Sequence, residues 1–433
     1  MVNPARRVLF ASLIGSTIEF FDFYAYANAA VLVFPKLFFP SSDPTAAMMQ
    51  SLVTFAIAFY ARPIGSACFG HFGDRIGRKA TLVAALLTMG ASTVAIGLLP
   101  TYASIGATAP ILLALCRFGQ GFGLGGEWGG AVLLATENAP PGRRSWFGMF
   151  PQLGAPLGFI LSLGTFLALS QTLTEAQFVE WGWRIPFLGS ALLVAVGLYV
   201  RLRIAETPAF RAAVQQNRRV RVPIAAALTG HGWTLALGTL MATVTFQLFY
   251  LVTVFAQGWA TGALKIARVP MLEIQLAATL FFAATIPLSA RLADRYGGRR
   301  TMIAVTLGIF GFGLVFAPLF GDGDLLRIFL FLSLGMALMG ATYGPLGAVL
   351  AELFPTEVRY TGLSLTFNLA GILGASLAPY IAMGLAKSQG LAYVGAYLAG
   401  GAALTLVALL LARKRTQYLE AEDGATPPVA ART

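Results

Sequence analysis

Gly70-His71-Phe72-Gly73-Asp74-Arg75-Ile76-Gly77-Arg78-Lys79 recurs about 220 residues later as Ala290-Arg291-Leu292-Ala293-Asp294-Arg295-Tyr296-Gly297-Gly298-Arg299-Arg300. Each copy follows a long apolar segment and precedes another. A repeat spaced by half the chain implies two homologous halves, so the fold is read as a duplication. A second pair agrees in spacing. It runs Glu137-Asn138-Ala139-Pro140-Pro141-Gly142-Arg143-Arg144 and Glu352-Leu353-Phe354-Pro355-Thr356-Glu357-Val358-Arg359.

The chain of 433 residues is 57% hydrophobic and 11% charged, with a mean hydropathy of +0.74. Soluble domains carry about 25% charged residues. The net charge of +12 does not mark a nucleic-acid groove, because the basic residues fall in short gaps between apolar spans. Cys68 and Cys116 both lie within spans, which argues against a disulfide scaffold. Arg6-Arg7 precede the first span, but it contains Glu19 and Asp22 and lacks a small-residue cleavage site, so it reads as a retained helix.

A membrane span needs about 20 apolar residues. The sequence predicts spans at 8–38, 46–72, 80–100, 107–136, 144–170, 184–204, 224–256, 270–293, 300–320, 325–351, 359–386 and 390–412. The fold class is thus all-α, with twelve transmembrane helices in two six-helix bundles. These bundles occupy 1–204 and 224–412, joined by a polar cytoplasmic linker at 205–223 and followed by a disordered cytoplasmic tail at 413–433. With both termini cytoplasmic, only Lys36, Arg184, Lys265, Arg268, Arg327 and Lys387 fall on the outer side, apart from Arg62 and Arg117 within spans. That is the positive-inside pattern.

Ionisable groups inside a membrane are costly, and mark function by default. Glu19, Asp22, Arg62, Arg117 and Glu127 all belong to the first half. The second half offers Gln247, Tyr250, Gln275, Tyr343 and Asn368. Glu19 and Asp22 share a helix face, with Tyr26 one turn on. Glu19 and Arg62 lie at similar depth, so the expected proton-coupling set is Glu19, Asp22, Arg62 and Arg117. Arg117 is also expected to bind a substrate carboxylate through two hydrogen bonds, together with Tyr26, Gln120, Gln247, Tyr250, Tyr343 and Asn368. Gly121, Gly125 and Gly129 form a small-residue stripe for close helix packing, with Glu127 assigned to packing beside it. No phosphate-binding loop, metal cluster or nucleophile–base pair is found, so no enzyme activity, cofactor or metal is expected.

Gly15-Ser16-Thr17-Ile18-Glu19-Phe20-Phe21-Asp22-Phe23-Tyr24, Arg62-Pro63-Ile64-Gly65, Gly125-Gly126-Glu127-Trp128-Gly129-Gly130 and Trp181-Gly182-Trp183-Arg184-Ile185-Pro186-Phe187 resemble the metabolite:proton symporter family of the major facilitator superfamily. The resemblance looks strongest toward the shikimate transporter branch. It implies proton-driven uptake of a small metabolite, expected to be a carboxylate, across a bacterial inner membrane by alternating access. It also implies a cytoplasmic latch from Asp74, Arg75 and Arg78, mirrored by Asp294, Arg295 and Arg299. Glu137, Arg143, Glu352 and Arg359 are added from the second repeated pair. The second copy has lost glycines and one arginine, so the first latch is expected to dominate. The rival readings are a proton-coupled exporter and a membrane sensor.

Overall fold

The computed structural model describes residues 5–76, 78–137, 139–140, 142–202, 223–354 and 358–412. The expected linker and tail lie outside them, as do the side chains of Asp74, Arg75, Arg78 and Glu137. The first six spans are α1 (Ala5–Leu32), α2 (Pro44–Ile76), α3 (Arg78–Leu98), α4 (Thr108–Leu124 and Trp128–Glu137), α5 (Arg144–Thr172) and α6 (Ile185–Leu202). The second six are α7 (Pro223–Tyr250, then Leu251–Phe255 and Ala256–Gly262), α8 (Arg268–Tyr296), α9 (Gly298–Leu314 and Phe316–Phe320), α10 (Leu325–Ala351), α11 (Arg359–Gly371, Ile372–Ser376 and Ala378–Ser388) and α12 (Leu391–Leu411). The loop α8–α9 lies on the face that the charge pattern assigns to the cytoplasm.

Hydrocarbon offers no partner for an open backbone, so the chain crosses it as helices. Large apolar side chains such as Ile111, Leu115, Leu192, Leu280, Leu330 and Leu404 stay exposed on the outer faces of the spans. Between helices the contacts depend on missing side chains. A Cβ on Gly121 would strike the Ala58 backbone, and one on Gly125 the Arg62 carbonyl, so the stripe on α4 seats against α2. Gly129 instead meets Ser364 of α11, in the other half. The duplication repeats this device: Gly340 and Gly344 of α10 seat against the Phe282 and Ile286 carbonyls of α8.

The Trp181-to-Phe187 segment acts as an end plate. Trp183 packs against Phe34, Phe38 and Phe187, and Arg184 Nη1 donates to the Gly97 and Leu99 carbonyls at 2.8 and 2.7 Å. That closes the open C-terminus of α3 with a cation.

Two helices contain a wide turn, at Leu251–Phe255 and at Ile372–Ser376. Turns of this π type cluster at functional sites. Gln275 of α8 donates to the Thr253 carbonyl within the first, at 3.0 Å.

Gly121→Val is expected to force α2 and α4 apart and to cost about 1–3 kcal/mol, the range for overpacking. Loss of monodisperse protein on heating in detergent checks this, with Gly189→Val on α6, where an added Cβ meets nothing, as the control.

Candidate functional site

Where the two halves face each other they enclose a cavity of about 40 Å³, lined by Glu19, Phe20, Tyr24, Arg62, Leu124 and Trp128 from the first half. Phe246, Phe249, Tyr250, Met339, Tyr343, Phe367 and Asn368 complete it from the second. Ligand pockets usually run to about 300–1,000 Å³. The cavity is therefore contracted, and the lobes must separate to admit a metabolite. Both wide turns begin just beyond a lining residue, the first after Tyr250 and the second four residues after Asn368.

Among the described lining residues the charged ones, Glu19 and Arg62, come from the first half. The Arg62 guanidinium lies 4.5 Å from the Phe23 ring centroid and 4.7 Å from that of Phe59. The cavity hydroxyls around it belong to Tyr24, Tyr250 and Tyr343. A cation on aromatic faces gains from the ring quadrupole, and the gain grows when water is excluded. Five expected site residues meet here: Glu19, Arg62, Tyr250, Tyr343 and Asn368.

The structure does not bring the others to this cavity. Arg117 is fully buried one layer behind its wall, 4.1 Å from the ring centroids of Phe23 and Tyr26 and 4.9 Å from that of Phe55. Its Nε donates to the Phe55 carbonyl at 3.3 Å and its Nη1 to Gln120 Oε1 at 3.0 Å. Tyr26 lies under Arg117, not under a substrate. Asp22 is also fully buried, and turns toward Thr93 of α3 and Ser190 of α6. A 100° step per residue explains the split: Glu19 and Asp22 share a broad face, but only Glu19 reaches the seam between lobes. Gln247 points to α12, where its Nε2 donates to the Tyr397 carbonyl at 3.0 Å. Glu127 is buried at the bend of α4.

Several lining residues escape sequence reasoning, namely Phe20, Tyr24, Trp128, Phe246, Phe249, Met339 and Phe367. Their signal is present as aromatic pairs at helical spacing, Phe20 with Tyr24 and Phe246 with Phe249 and Tyr250. In a chain with 33 Phe, that signal is indistinguishable from ordinary packing.

The cytoplasmic floor is built across the lobes. Trp128 stacks on Phe367 with centroids 3.4 Å apart. Its indole N–H donates to Gln152 Oε1 at 2.8 Å, and Gln152 Nε2 donates to the Tyr343 carbonyl at 3.0 Å. The break in α4 leaves carbonyls without helical partners. Ser66 Oγ and Asn368 Nδ2 donate to Gly125, and the Tyr360 hydroxyl donates to Gly126 at 3.0 Å.

Below this floor Asp294 sits on the N-terminus of α5. Its Oδ1 accepts from the Ser145 N–H at 2.9 Å and its Oδ2 from the Trp146 N–H at 3.0 Å. A carboxylate satisfies these orphan donors and meets the positive end of the helix dipole. Arg291 lies over the Trp146 ring. The other described latch candidates make the following contacts. Arg299 Nε donates to the Leu409 carbonyl at 2.6 Å, at the end of α12, and Arg359 Nε to the Phe354 carbonyl at 3.1 Å. Both contacts stay within one lobe. Arg295 lies over Tyr296, its own neighbour, and Arg143 is exposed. Glu352 is half-buried at the end of α10. The expected ranking of Asp74 over Asp294 falls on side chains outside the described residues.

The outer mouth is closed by exposed pairs. Arg268 of α8 meets Glu175 at 2.8 Å, Lys387 of α11 meets Asp43 at 3.2 Å, and Gln171 donates to Glu273 at 3.1 Å. The Asp43 carboxyl is held below the usual carboxylate range, first by the Thr45 N–H and then by Lys387.

Comparison with known proteins fits this geometry. Residues 8–222 match the sugar (and other) transporter family, and residues 264–431 match the major facilitator superfamily. The inner membrane metabolite transport protein YhjE of Escherichia coli (strain K12) is 57% identical, over 95% of this chain and 94% of that protein. The chain belongs to the major facilitator superfamily. It is a metabolite transporter, not an enzyme, and a multi-pass protein of the inner membrane. The shikimate transporter of Escherichia coli (strain K12) is 35% identical over 89% of this chain and 88% of its own length. A proline/betaine transporter of Salmonella typhimurium is 32% identical over 89% and 78%. Among solved structures, a partially occluded inward-open xylose transporter XylE from Escherichia coli aligns with a TM-score of 0.73 at 16% identity, over 99% of each chain. That likeness is one of fold.

Asp294→Ala is expected to open the cytoplasmic mouth. Charge-assisted hydrogen bonds contribute about 1.5–3 kcal/mol, so the inward-open population should rise about tenfold or more. The check is labelling of a cysteine placed at Ser364, just below the Trp128–Phe367 floor, in a background without Cys68 and Cys116. Equal labelling with and without Asp294 contradicts the assignment.

Proposed function

We propose that the protein imports a small organic acid together with protons, by alternating access of its two lobes. The supporting observation is the cavity between the lobes, where Arg62 stands among tyrosines inside an aromatic wall. Arg62 is the cavity's cation among the described lining residues, so it replaces Arg117 as the anchor for a substrate carboxylate. The rings of Tyr24, Phe249 and Tyr250 suit a compact, partly apolar body. Relatives named for shikimate and for proline and betaine all transport small carboxylates.

The proton sites are Glu19 in the cavity and Asp22 behind it. Asp22 is positioned to hold a proton while shielded from both mouths. In this scheme the substrate enters from outside, its carboxylate meets Arg62, and the outer pairs close. The Asp294 contact and the Trp128–Phe367 floor then release.

Uptake of labelled shikimate, citrate, α-ketoglutarate, an aromatic acid and betaine into proteoliposomes tests the reading. An inward proton gradient should drive accumulation of at least one acid. Accumulation only under the opposite gradient would make the protein an exporter, and none under either would leave the sensor reading.

Two substitutions refine the test. Arg62→Lys keeps a charge but loses the planar fork, and should raise the KM for the accumulated acid about tenfold, equivalent to ~1.4 kcal/mol. Asp22→Asn should reduce gradient-driven accumulation at least tenfold while exchange of labelled for unlabelled acid continues. Full accumulation by Asp22→Asn would move the coupling site elsewhere.

A further inference from the structure

Asn368 of α11 belongs to the cavity and to the floor beneath it. It lines the cavity, yet its Nδ2 donates across the lobes to Ser66 Oγ at 2.9 Å and to the Gly125 carbonyl at 3.4 Å. Ser66 Oγ donates to that same carbonyl. Ser66 is four residues from Arg62 on α2, so the two side chains share a face one turn apart. On α11 the matching turn runs from Asn368 to Gly371. Arg62 Nη1 lies 3.8 Å from the place that a Cβ on Gly371 would occupy. The Asn368 amide is thus held on Ser66, about one helical turn (~5.4 Å) from the point on α11 that the guanidinium approaches.

A carboxylate accepts more strongly than a hydroxyl or an amide carbonyl, because the bond is charge-assisted. It also has about four acceptor positions, of which a guanidinium fork takes two. A carboxylate seated on Arg62 therefore offers Asn368 a better partner than Ser66 does. Departure strands nothing in the first lobe, since Ser66 and Gly125 keep their own bond.

We propose that Asn368 is the residue through which a bound carboxylate loosens the cytoplasmic floor: its NH₂ turns from Ser66 to the carboxylate on Arg62, and a bond between the lobes is lost. Phe367, the next residue along the chain, is the one stacked on Trp128, so movement of Asn368 bears on that stack. The bond from Tyr360 to the Gly126 carbonyl, two turns nearer the cytoplasm on α11, is left to break afterwards. This role goes beyond the substrate contact expected of Asn368, and it rests on the reading of Arg62 as the carboxylate anchor.

The probe is whichever of shikimate, citrate, α-ketoglutarate and an aromatic acid the parent accumulates in proteoliposomes. A cysteine at Val132, which is buried against Gly347 of the other lobe, reports opening of the floor in a background without Cys68 and Cys116. Saturating acid should raise its labelling in the parent about threefold or more, the equivalent of one neutral hydrogen bond. Asn368→Leu should label at the raised rate without acid and respond no further when acid is added. A purely structural bond would leave the acid response intact in this variant. A plain substrate contact would weaken affinity and leave labelling without acid at the parent's level. Either result overturns the inference.

Ser66→Ala keeps Asn368 and removes its resting partner. It should lower the KM for the acid about two- to tenfold, the range for one neutral hydrogen bond. A merely structural role gives no such tightening, and this measurement stands where Asn368→Leu does not fold. An unchanged or higher KM overturns the inference, as does a parent that accumulates the acid but whose labelling ignores it; import of an acid survives both. A parent that accumulates none of the acids overturns the carboxylate reading and this inference together.

Discussion

Two guanidinium groups lie within a few ångströms of one aromatic ring. Phe23 has Arg62 at 4.5 Å and Arg117 at 4.1 Å from its centroid. Like charges this close, out of water, repel unless something receives them. Aromatic faces, a backbone carbonyl and one glutamine perform that task here. The first lobe is organised around it: α1 brings Phe23 and Tyr26, α2 brings Phe55 and Phe59, and α4 brings Arg117 and Gln120. The second lobe carries no such burden, and contributes rings and amides to the cavity. Among the described residues that line the cavity, those of the second lobe are uncharged.

The two mouths are closed by different physics. The outer one relies on exposed ion pairs, which are individually weak and screened by salt. The inner one relies on a ring stack, buried amide bonds and Asp294 seated on the α5 N-terminus. Opening the inner mouth therefore asks for more compensation than opening the outer one. The break in α4 links gate to cavity, because Asn368 lines the cavity and also donates to the Gly125 carbonyl.

Much of this was readable from the residues. Apolar length and basic loops located the spans within a few residues, and the repeated Asp-Arg motif disclosed the duplication. The Gly121–Gly125–Gly129 stripe pointed to close packing, though not to the fact that Gly129 crosses to α11. Intramembrane charge singles out Glu19 and Arg62, and both line the cavity. It misplaced Arg117 because depth can be counted along a helix, whereas the direction of a side chain depends on neighbours that no single span encodes. Gln247 failed for the same reason, turning to α12. The π turns, which need a register shift of one residue, left no trace in composition. The seat of Asp294 on the α5 N-terminus has no local sequence signal, because the two segments lie about 150 residues apart.

Coupling of solute and proton movement is the central claim, and it is most directly measured as a change in external pH. Purified protein in lightly buffered proteoliposomes, with no imposed gradient, receives the acid that it transports. The account predicts that the medium turns alkaline as solute enters, and that a protonophore abolishes the signal without stopping solute entry. Solute entry with no alkalinisation, or with acidification, would contradict it.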